Sequence, residues 1–135
     1  MGKVDFHSHE VKLAAPAVKA FTFLSDLNNL QHLMPEQVIN WQSTDKSCSF
    51  DIKGMAHINL EKAETIPDRM IHIISGAGNP LEIEFRCMLE KLSNDETSAF
   101  IELTADLSPM LQLLASGPMQ NLVNIMADKL IEVAF

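Results

Sequence analysis

Apolar and polar side chains alternate over most of the middle of the chain, which is the pattern of strands with one buried and one solvated face. The clearest run is residues 81–90, where the odd positions are apolar or cysteine and four of the five even positions are charged. Short polar turns such as Ser93-Asn94-Asp95-Glu96 separate the runs. The pattern predicts about seven strands, at residues 3–13, 38–43, 48–53, 55–65, 70–75, 81–90 and 98–105.

Helical spacing of apolar residues replaces this alternation after the first strand. Pro16 suits the first position of a helix, because its missing N–H is not needed there, and Asp26 offers a cap for a second helix. Pro35 ends the segment. The spacing predicts two short helices, at residues 16–25 and 28–34.

A second helical region follows the last strand. Ser108 and Pro109 form an N-cap and first-turn pair, which predicts a short helix over residues 109–115. Ser116-Gly117-Pro118 is expected to interrupt it. A long amphipathic helix is then predicted over residues 118–134.

The order of these elements is strand, two short helices, a succession of hairpin-linked strands and a long helix. This order indicates a segregated α+β fold with an antiparallel sheet. A sheet of this length curves, and only the helix at 118–134 is long enough to cover its apolar concave face. We therefore predict one α+β domain over residues 1–135, with the C-terminal helix packed across a curved sheet.

The chain resembles the START-like or Bet v 1-like superfamily, the helix-grip proteins that include polyketide cyclases and lipid-transfer domains. The resemblance covers nearly the whole chain and implies a cavity between the sheet and the C-terminal helix. Members of the superfamily bind, carry or transform different apolar molecules in that cavity, so the fold does not fix the function. The resemblance rests on the opening strand followed by Ala15-Pro16-Ala17, on Phe23-Leu24-Ser25-Asp26-Leu27 running to Pro35, on the series of strands and turns, and on Pro109-Met110 before the terminal helix.

Apolar residues on the inner rows of the sheet and on the helices that face it are the predicted lining of this cavity. The methionines among them suit an adaptable apolar pocket, and they suit an ordinary core as well. Trp41 is expected either to anchor the mouth of the cavity or to pack against the sheet. The predicted lining consists of Leu27, Met34, Trp41, Phe50, Ile52, Ile58, Leu60, Ile83, Phe85, Cys87, Ile101, Leu103, Met110, Met119, Leu122 and Met126.

Histidines invite a test for metal binding or catalysis. His7 and His9 lie on the same side of the predicted first strand, but the sequence fixes no third or fourth ligand near them, because His57 and His72 belong to other strands. We therefore predict no metal site and no cofactor. If His7, His9 and His72 face inward, they supply polar groups to the cavity; if they face solvent, they do not.

Two further motifs have structural interpretations. Glu82 and Glu84 point away from the apolar row of their strand, so we interpret them as solvated charges rather than a catalytic pair. The loop at residues 75–80 contains two glycines but lacks a complete phosphate-binding pattern and leads into a strand, so it is interpreted as a turn.

The charge balance narrows the range of partners. With 18 acidic and 10 basic side chains the net charge is −8, and the basic residues are scattered, so neither nucleic acid nor an anionic membrane surface is an expected partner. No run approaches the roughly 18 apolar residues of a membrane span, and no signal peptide is expected. Cys48 and Cys87 lie in apolar stretches, which predicts buried, reduced thiols and a cytoplasmic location.

Three functions remain open from the sequence. The resemblance favours binding, or transport, of a small hydrophobic ligand such as a lipid or a polyketide-like molecule. A cyclase or dehydratase acting on a similar ligand is the second, and it requires a titratable histidine inside the cavity. The third is a ligand-free interaction module or homodimer, with Phe6, Met88 and Phe100 on outward rows as its contact surface.

Overall fold

The computed structural model describes residues 2–54, 56–76 and 81–135. Strands occupy most of the first 107 residues, and a long helix follows them. In chain order the elements are β1 Gly2–His7, β2 Val11–Leu13, α1 Ala17–Ser25, a 3₁₀ helix Leu27–Leu33, β3 Val38–Ser43, β4 Ser47–Ile52, β5 Ala56–Ile66, β6 Met70–Ser75, β7 Glu82–Lys91, β8 Thr97–Leu107 and α2 Pro109–Ile131.

The strands form one antiparallel sheet of eight strands in the order β1-β8-β7-β6-β5-β4-β3, with β2 also paired to β8. Each strand from β3 to β8 pairs with the next one along the chain, as hairpin connections require. β3 ends the sheet, and its register shifts between Ile39 and Gln42, where Asn40 has a φ of 57°. The predicted α+β class and antiparallel sheet are confirmed.

The predicted first strand at residues 3–13 is divided into β1 and β2, which both pair with β8. Between them Ser8 is buried, and its backbone N–H donates to the carbonyl of Ile101 at 2.9 Å. The Ser8 hydroxyl accepts a 2.8 Å hydrogen bond from the N–H of Ile101. A side-chain oxygen therefore takes the place of a backbone carbonyl where the chain leaves the ladder.

One face of the sheet forms the core. The inward positions of β7 and β8 are buried throughout, including Ile83, Phe85, Ile101 and Leu103. Helix α2 packs across β8, β1 and β2, while α1 packs on β6 and β7. This is the helix-grip arrangement in which the C-terminal helix covers the concave face of a curved sheet.

The segment after β2 matches the predicted pair of helices loosely. Pro16 is the N-cap of α1 rather than its first residue. The second element is a 3₁₀ helix, one residue earlier than predicted, and Asp26 caps it by accepting a 3.0 Å hydrogen bond from the N–H of Asn28. Its buried residues Leu27, Leu30 and Leu33 lie three apart, which is the repeat of a 3₁₀ helix.

The predicted division between a short helix at 109–115 and a long helix at 118–134 is wrong, because α2 is continuous from Pro109 to Ile131. Pro118 lacks the N–H that would donate to the carbonyl of Leu114, but this turn lies at the surface, where water can bond that carbonyl. Buried Ala115 and Met119 lie on either side of the proline and hold both halves against the core. The predicted N-cap is confirmed, since the Ser108 hydroxyl accepts from the N–H of Leu111 at 3.3 Å.

Candidate ligand-binding pocket

An apolar cavity of about 350 Å³ lies between the middle of α2 and the end of the sheet formed by β3 and β4. The segment that follows the 3₁₀ helix closes a third side. Its wall is mostly aliphatic, and its polar groups come from the rim. The lining residues are Pro35, Gln37, Val38, Ile52, Lys53, Pro118, Met119, Asn121, Leu122 and Ile125.

Local structure explains why these residues meet. Val38 of β3 pairs directly with Ile52 of β4, so their side chains lie side by side on one face of the sheet. On α2, Pro118, Leu122 and Ile125 follow one another at intervals of four and three residues, which puts them on one side of the helix. The facing surfaces are both apolar, and no side chain among the described residues fills the space between them.

Two hydrogen bonds connect the segments that line the cavity. The N–H of Lys53 donates to the carbonyl of Gln37 at 2.8 Å, which joins the start of β3 to the end of β4. The ammonium of Lys129 on α2 donates to the carbonyl of Met34 at 2.7 Å. This second bond links the helix to the segment that closes the cavity.

Three of the sixteen residues predicted from the sequence line this cavity: Ile52, Met119 and Leu122. The interior next to it is closely packed, so the cavity occupies only the end of the space between sheet and helix. The predicted residues that lie in this packed core, each no more than 6% exposed, are Leu27, Met34, Phe50, Ile58, Leu60, Ile83, Phe85, Cys87, Ile101, Leu103 and Met126.

Two predicted lining residues lie elsewhere. Met110 lies in the first turn of α2, and its assignment to the pocket is wrong because its side chain is 72% exposed. Trp41 is half-buried and stacks on Phe50 with the ring centroids 5.2 Å apart, while its indole N–H donates to Ser43 Oγ at 2.9 Å. Of the two roles expected for Trp41, the contacts show packing against the sheet.

The three histidines proposed as polar pocket groups do not point into the cavity. His7 lies on the outer face of β1 and stacks on Phe100, with the ring centroids 4.3 Å apart. His9 lies in the loop after β1, where its Nε2 is 2.5 Å from Oδ1 of Asp128 on α2. His72 is on the outer face of β6, with its Nε2 3.8 Å from a carboxylate oxygen of Glu84.

The fourth candidate, His57, is also on the outer face. Its Nδ1 lies 2.5 Å from Oδ1 of Asp51, and the Asn40 amide donates to the other carboxylate oxygen at 2.7 Å. The hydrogen bonds from Asn40 and His57 hold the pKa of Asp51 below its usual range. The cyclase or dehydratase hypothesis requires a titratable histidine inside the cavity. All four candidate histidines lie outside the core, so this requirement is not met.

Buried thiols are the titratable groups of the core. Cys48 and Cys87 are free and buried, as predicted, and burial raises the pKa of each thiol to about 12. A thiol with so high a pKa stays protonated at neutral pH and is a poor nucleophile. No group of three or more metal-ligating side chains occurs within residues 2–54, 56–76 and 81–135.

The outer face of the sheet carries the charges that the sequence placed there. Glu84 contacts Arg86 at 3.3 Å, and Arg86 also donates to Thr104 at 2.9 Å. A second cavity, of about 380 Å³, lies at this face and is lined by charged residues that include Lys3, Glu82, Glu84 and Asp106. These charges make it unsuited to an apolar ligand.

The outward surface proposed for protein contacts is only partly present. Phe6 is 6% exposed and belongs to the core, so its outward assignment is wrong; the pairing of β1 with β8 places Phe6 beside the inward residue Leu103. Met88 and Phe100 are directly paired on the outer face and are half-buried there. The remainder of the loop at residues 75–80, from Ala77 onward, and Met55 lie outside the described residues.

The sequence interpretation missed several cavity residues, among them Val38 and Ile125. The pairing of Val38 with Ile52 depends on the β3–β4 register, which the bulge at Asn40 shifts in a way that no sequence pattern signals. In the sequence, Ile125 is an apolar residue beside the main apolar stripe of the terminal helix. Its position at the flank of that stripe is the signal that could have placed it at the edge of the core.

Comparison with known proteins supports the architecture. No family model and no curated protein matches the sequence. Norcoclaurine synthase from Thalictrum flavum superposes with a TM-score of 0.69 at 13% identity, covering 97% of this chain and 86% of that chain. A START superfamily protein from Mycobacterium smegmatis superposes with a TM-score of 0.67 at 15% identity, covering 98% and 99%.

A conserved protein from Geobacillus kaustophilus gives a TM-score of 0.69 at 13% identity, covering 96% of this chain and 93% of that chain. At such identities the likeness shows the fold alone. No helix among the described residues is long and apolar enough to cross a membrane. The superpositions and the order of the elements together show that the chain has the helix-grip fold of the START-like and Bet v 1-like proteins.

Proposed function

We propose that the protein binds a small apolar molecule, of the lipid or polyketide-like kind, in the cavity between α2 and the end of the sheet. The observation that carries the proposal is the cavity itself, about 350 Å³ in volume with a largely aliphatic wall. Ligand sites in proteins are typically about 300–1,000 Å³ and mostly apolar. The cavity lies at the lower end of this range, which favours one short chain or one small ring system over a whole phospholipid.

The fold likeness supports the proposal. The solved structures that share this fold include norcoclaurine synthase in complex with dopamine and hydroxybenzaldehyde, with a TM-score of 0.67 at 13% identity over 97% of this chain and 86% of that one. The fold thus holds small organic molecules in at least that enzyme. The buried, reduced cysteines support a cytoplasmic location for the activity that we propose here.

The polar side chains of the lining indicate which kind of ligand the site would select. Gln37, Lys53 and Asn121 are the hydrogen-bonding side chains in the lining, and the deeper wall is aliphatic. A ligand with one polar end near the rim and an apolar body inside fits this distribution. Straight-chain primary alcohols have that form, and they carry no charge to interact with the acidic protein.

The test is the affinity of a series of primary alcohols from hexanol to dodecanol, measured by calorimetry. We expect the dissociation constant to fall about fourfold for each added methylene, because burying one CH₂ contributes about 0.8 kcal/mol, until the chain fills the cavity. Ile125→Trp, which places a large ring in the cavity, should abolish binding. Ile131→Trp is the matched control, since Ile131 is on the same helix but 53% exposed and away from the cavity. Equal binding by both variants, or no binding of any alcohol, would contradict the proposal.

A further inference from the structure

The first two turns of α2 carry an exposed apolar patch, defined here as Met110, Leu111, Leu113 and Leu114. Met110 is 72% exposed, Leu113 87% and Leu114 68%. Leu111 adds a smaller exposed area. Single exposed apolar side chains are ordinary, but four within one short stretch of helix form a continuous surface of the kind that marks a contact site.

The patch lies in a stretch of chain without charge. No lysine, arginine, aspartate or glutamate occurs over residues 107–127, although charged residues make up 21% of the chain. The polar side chains within its turns are already bonded: Ser108 caps Leu111, and Gln112 donates to the carbonyl of Leu107 at 3.2 Å. Pressing this end of the helix into an apolar medium therefore removes no charge from water.

We propose that the apolar patch docks on the surface of a lipid bilayer made of zwitterionic lipid. The size of the patch favours a bilayer over a second copy of the chain, because a standard protein interface uses about 20–30 residues a side. The patch also lacks the Trp, Tyr and Arg residues that anchor protein interfaces. Helices at a membrane surface bury an apolar face in the interfacial region, and the strength of this binding grows with the apolar area that they bury.

The charge of the protein selects the kind of lipid. A net charge of −8 is repelled by an anionic membrane surface, and the uncharged patch offers no basic residue to offset that repulsion. Phosphatidylcholine carries no net charge, so it complements both the patch and the molecule. Docking is expected to be insensitive to salt, because it involves no ion pair.

The patch leads directly to the candidate pocket, and this part of the inference rests on the proposed function. Leu114 is four residues before Pro118, so the two lie one above the other on the same side of α2. Pro118 and Met119 belong to the pocket wall. A membrane docked on the patch therefore lies beside the cavity, where a lipid-derived ligand can pass between the two without crossing water.

The test is co-flotation of the purified protein with phosphatidylcholine vesicles. The wild-type chain should float with them, and Leu113→Gln should reduce the partition coefficient about tenfold, because the leucine no longer gains from leaving water. Leu113→Gln combined with Leu114→Gln should abolish flotation. The matched control is Leu92→Gln, which changes a leucine that is 51% exposed in the β7–β8 turn and should float like the wild type. Circular dichroism spectra that match the wild type establish that each variant is folded.

The outcomes separate this inference from the proposed function. Failure of the wild-type chain to float, or equal loss of flotation in the Leu92 variant, would overturn the inference. A dimer by sedimentation equilibrium that the double variant converts to monomer would overturn it too, since a second copy would then cover the patch. Ile125→Trp is expected to lose alcohol binding and still float, so either idea can fail without the other.

Discussion

Ser8 shows how one side chain preserves a sheet where its backbone departs from it. The chain between β1 and β2 bulges away from β8, which would leave the N–H of Ile101 without an acceptor in a buried position. The Ser8 hydroxyl accepts from that N–H and donates in turn to the carbonyl of His9. The hydroxyl and the backbone N–H of this buried serine therefore both form hydrogen bonds within the protein.

Replacing Ser8 with alanine should lower the free energy of unfolding by about 1–3 kcal/mol, which is the range for leaving a buried backbone donor unsatisfied. Urea unfolding followed by circular dichroism measures the change. Ser49→Ala is the control, because Ser49 is half-buried on the outer face of β4, and we expect a change within about 0.5 kcal/mol. A loss at Ser8 no larger than that at Ser49 would show that water reaches the amide of Ile101.

Buried thiols give the molecule an alkaline limit. Because burial raises the pKa of Cys48 and Cys87 to about 12, both remain protonated in the folded state at a pH where the unfolded chain has ionised them. The unfolded thiol has a pKa of about 8.5. Stability from this source is therefore complete below about pH 8.5 and is lost progressively as the pH rises toward 12.

The free energy of unfolding, measured in urea, should therefore be smaller at pH 10.5 than at pH 7.0. The comparison with the variant Cys48→Ala isolates the thiol from the lysines, which titrate in the same range. We expect the variant to be less stable at pH 7.0 but to lose less stability between the two pH values. Equal losses in both chains would show that the Cys48 thiol is not buried away from solvent.

At the scale of the element, the sequence predicted what regular patterns encode. The strand positions and the N-cap at Ser108 follow from alternation and from the chemistry of the residue types, and the structure has them. The continuity of α2 could not be predicted, because Gly117 and Pro118 locally favour a break in the helix. The burial of Ala115 and Met119 on either side outweighs that tendency. Val38 was missed for a similar reason, since the shift at Asn40 decides which side chains of β3 meet β4.

Gly117 gives a test of the continuous helix. A Cβ added there meets nothing within 4 Å, so Gly117→Ala should raise the free energy of unfolding by about 0.5–1 kcal/mol through the loss of backbone entropy in the unfolded chain. Gly54→Ala is the matched control: its Cβ also meets nothing, but Gly54 has a φ of +76°, which strains alanine. We expect that variant to be destabilised by about 1 kcal/mol. Destabilisation by Gly117→Ala would contradict a regular helix at this position.

At the scale of the whole molecule, the apolar cavity lies to one side of the main core. The inward residues of β6, β7 and β8 pack against α1 and α2, and the cavity with the mostly aliphatic wall lies where β3 and β4 meet the middle of α2. Its wall joins two parts of the chain that are far apart in sequence, residues 35–53 and residues 118–125 of α2. A bound molecule would contact both and so oppose their separation.

A ligand in this cavity should stabilise the entire fold. At a free concentration one hundred times its dissociation constant, a ligand that binds only the folded chain adds about 2.7 kcal/mol to the free energy of unfolding. Decanol is the ligand to use, with chemical denaturation in its presence and absence as the measurement. Ile125→Trp should show no such gain, and a gain as large as that of the wild type in this variant would place the binding site elsewhere.

The bulge at Asn40 has a consequence for how copies of the chain behave toward one another. β3 is the last strand of the sheet, so among the described residues one side of its backbone has no neighbouring strand to bond with. A regular strand in that position is a template for edge-to-edge aggregation. The turn of the backbone at Asn40, held by its amide on Asp51, breaks the straight row of donors and acceptors that an incoming strand would need. The same irregularity that shapes one wall of the cavity thus protects the open border of the sheet against polymerisation.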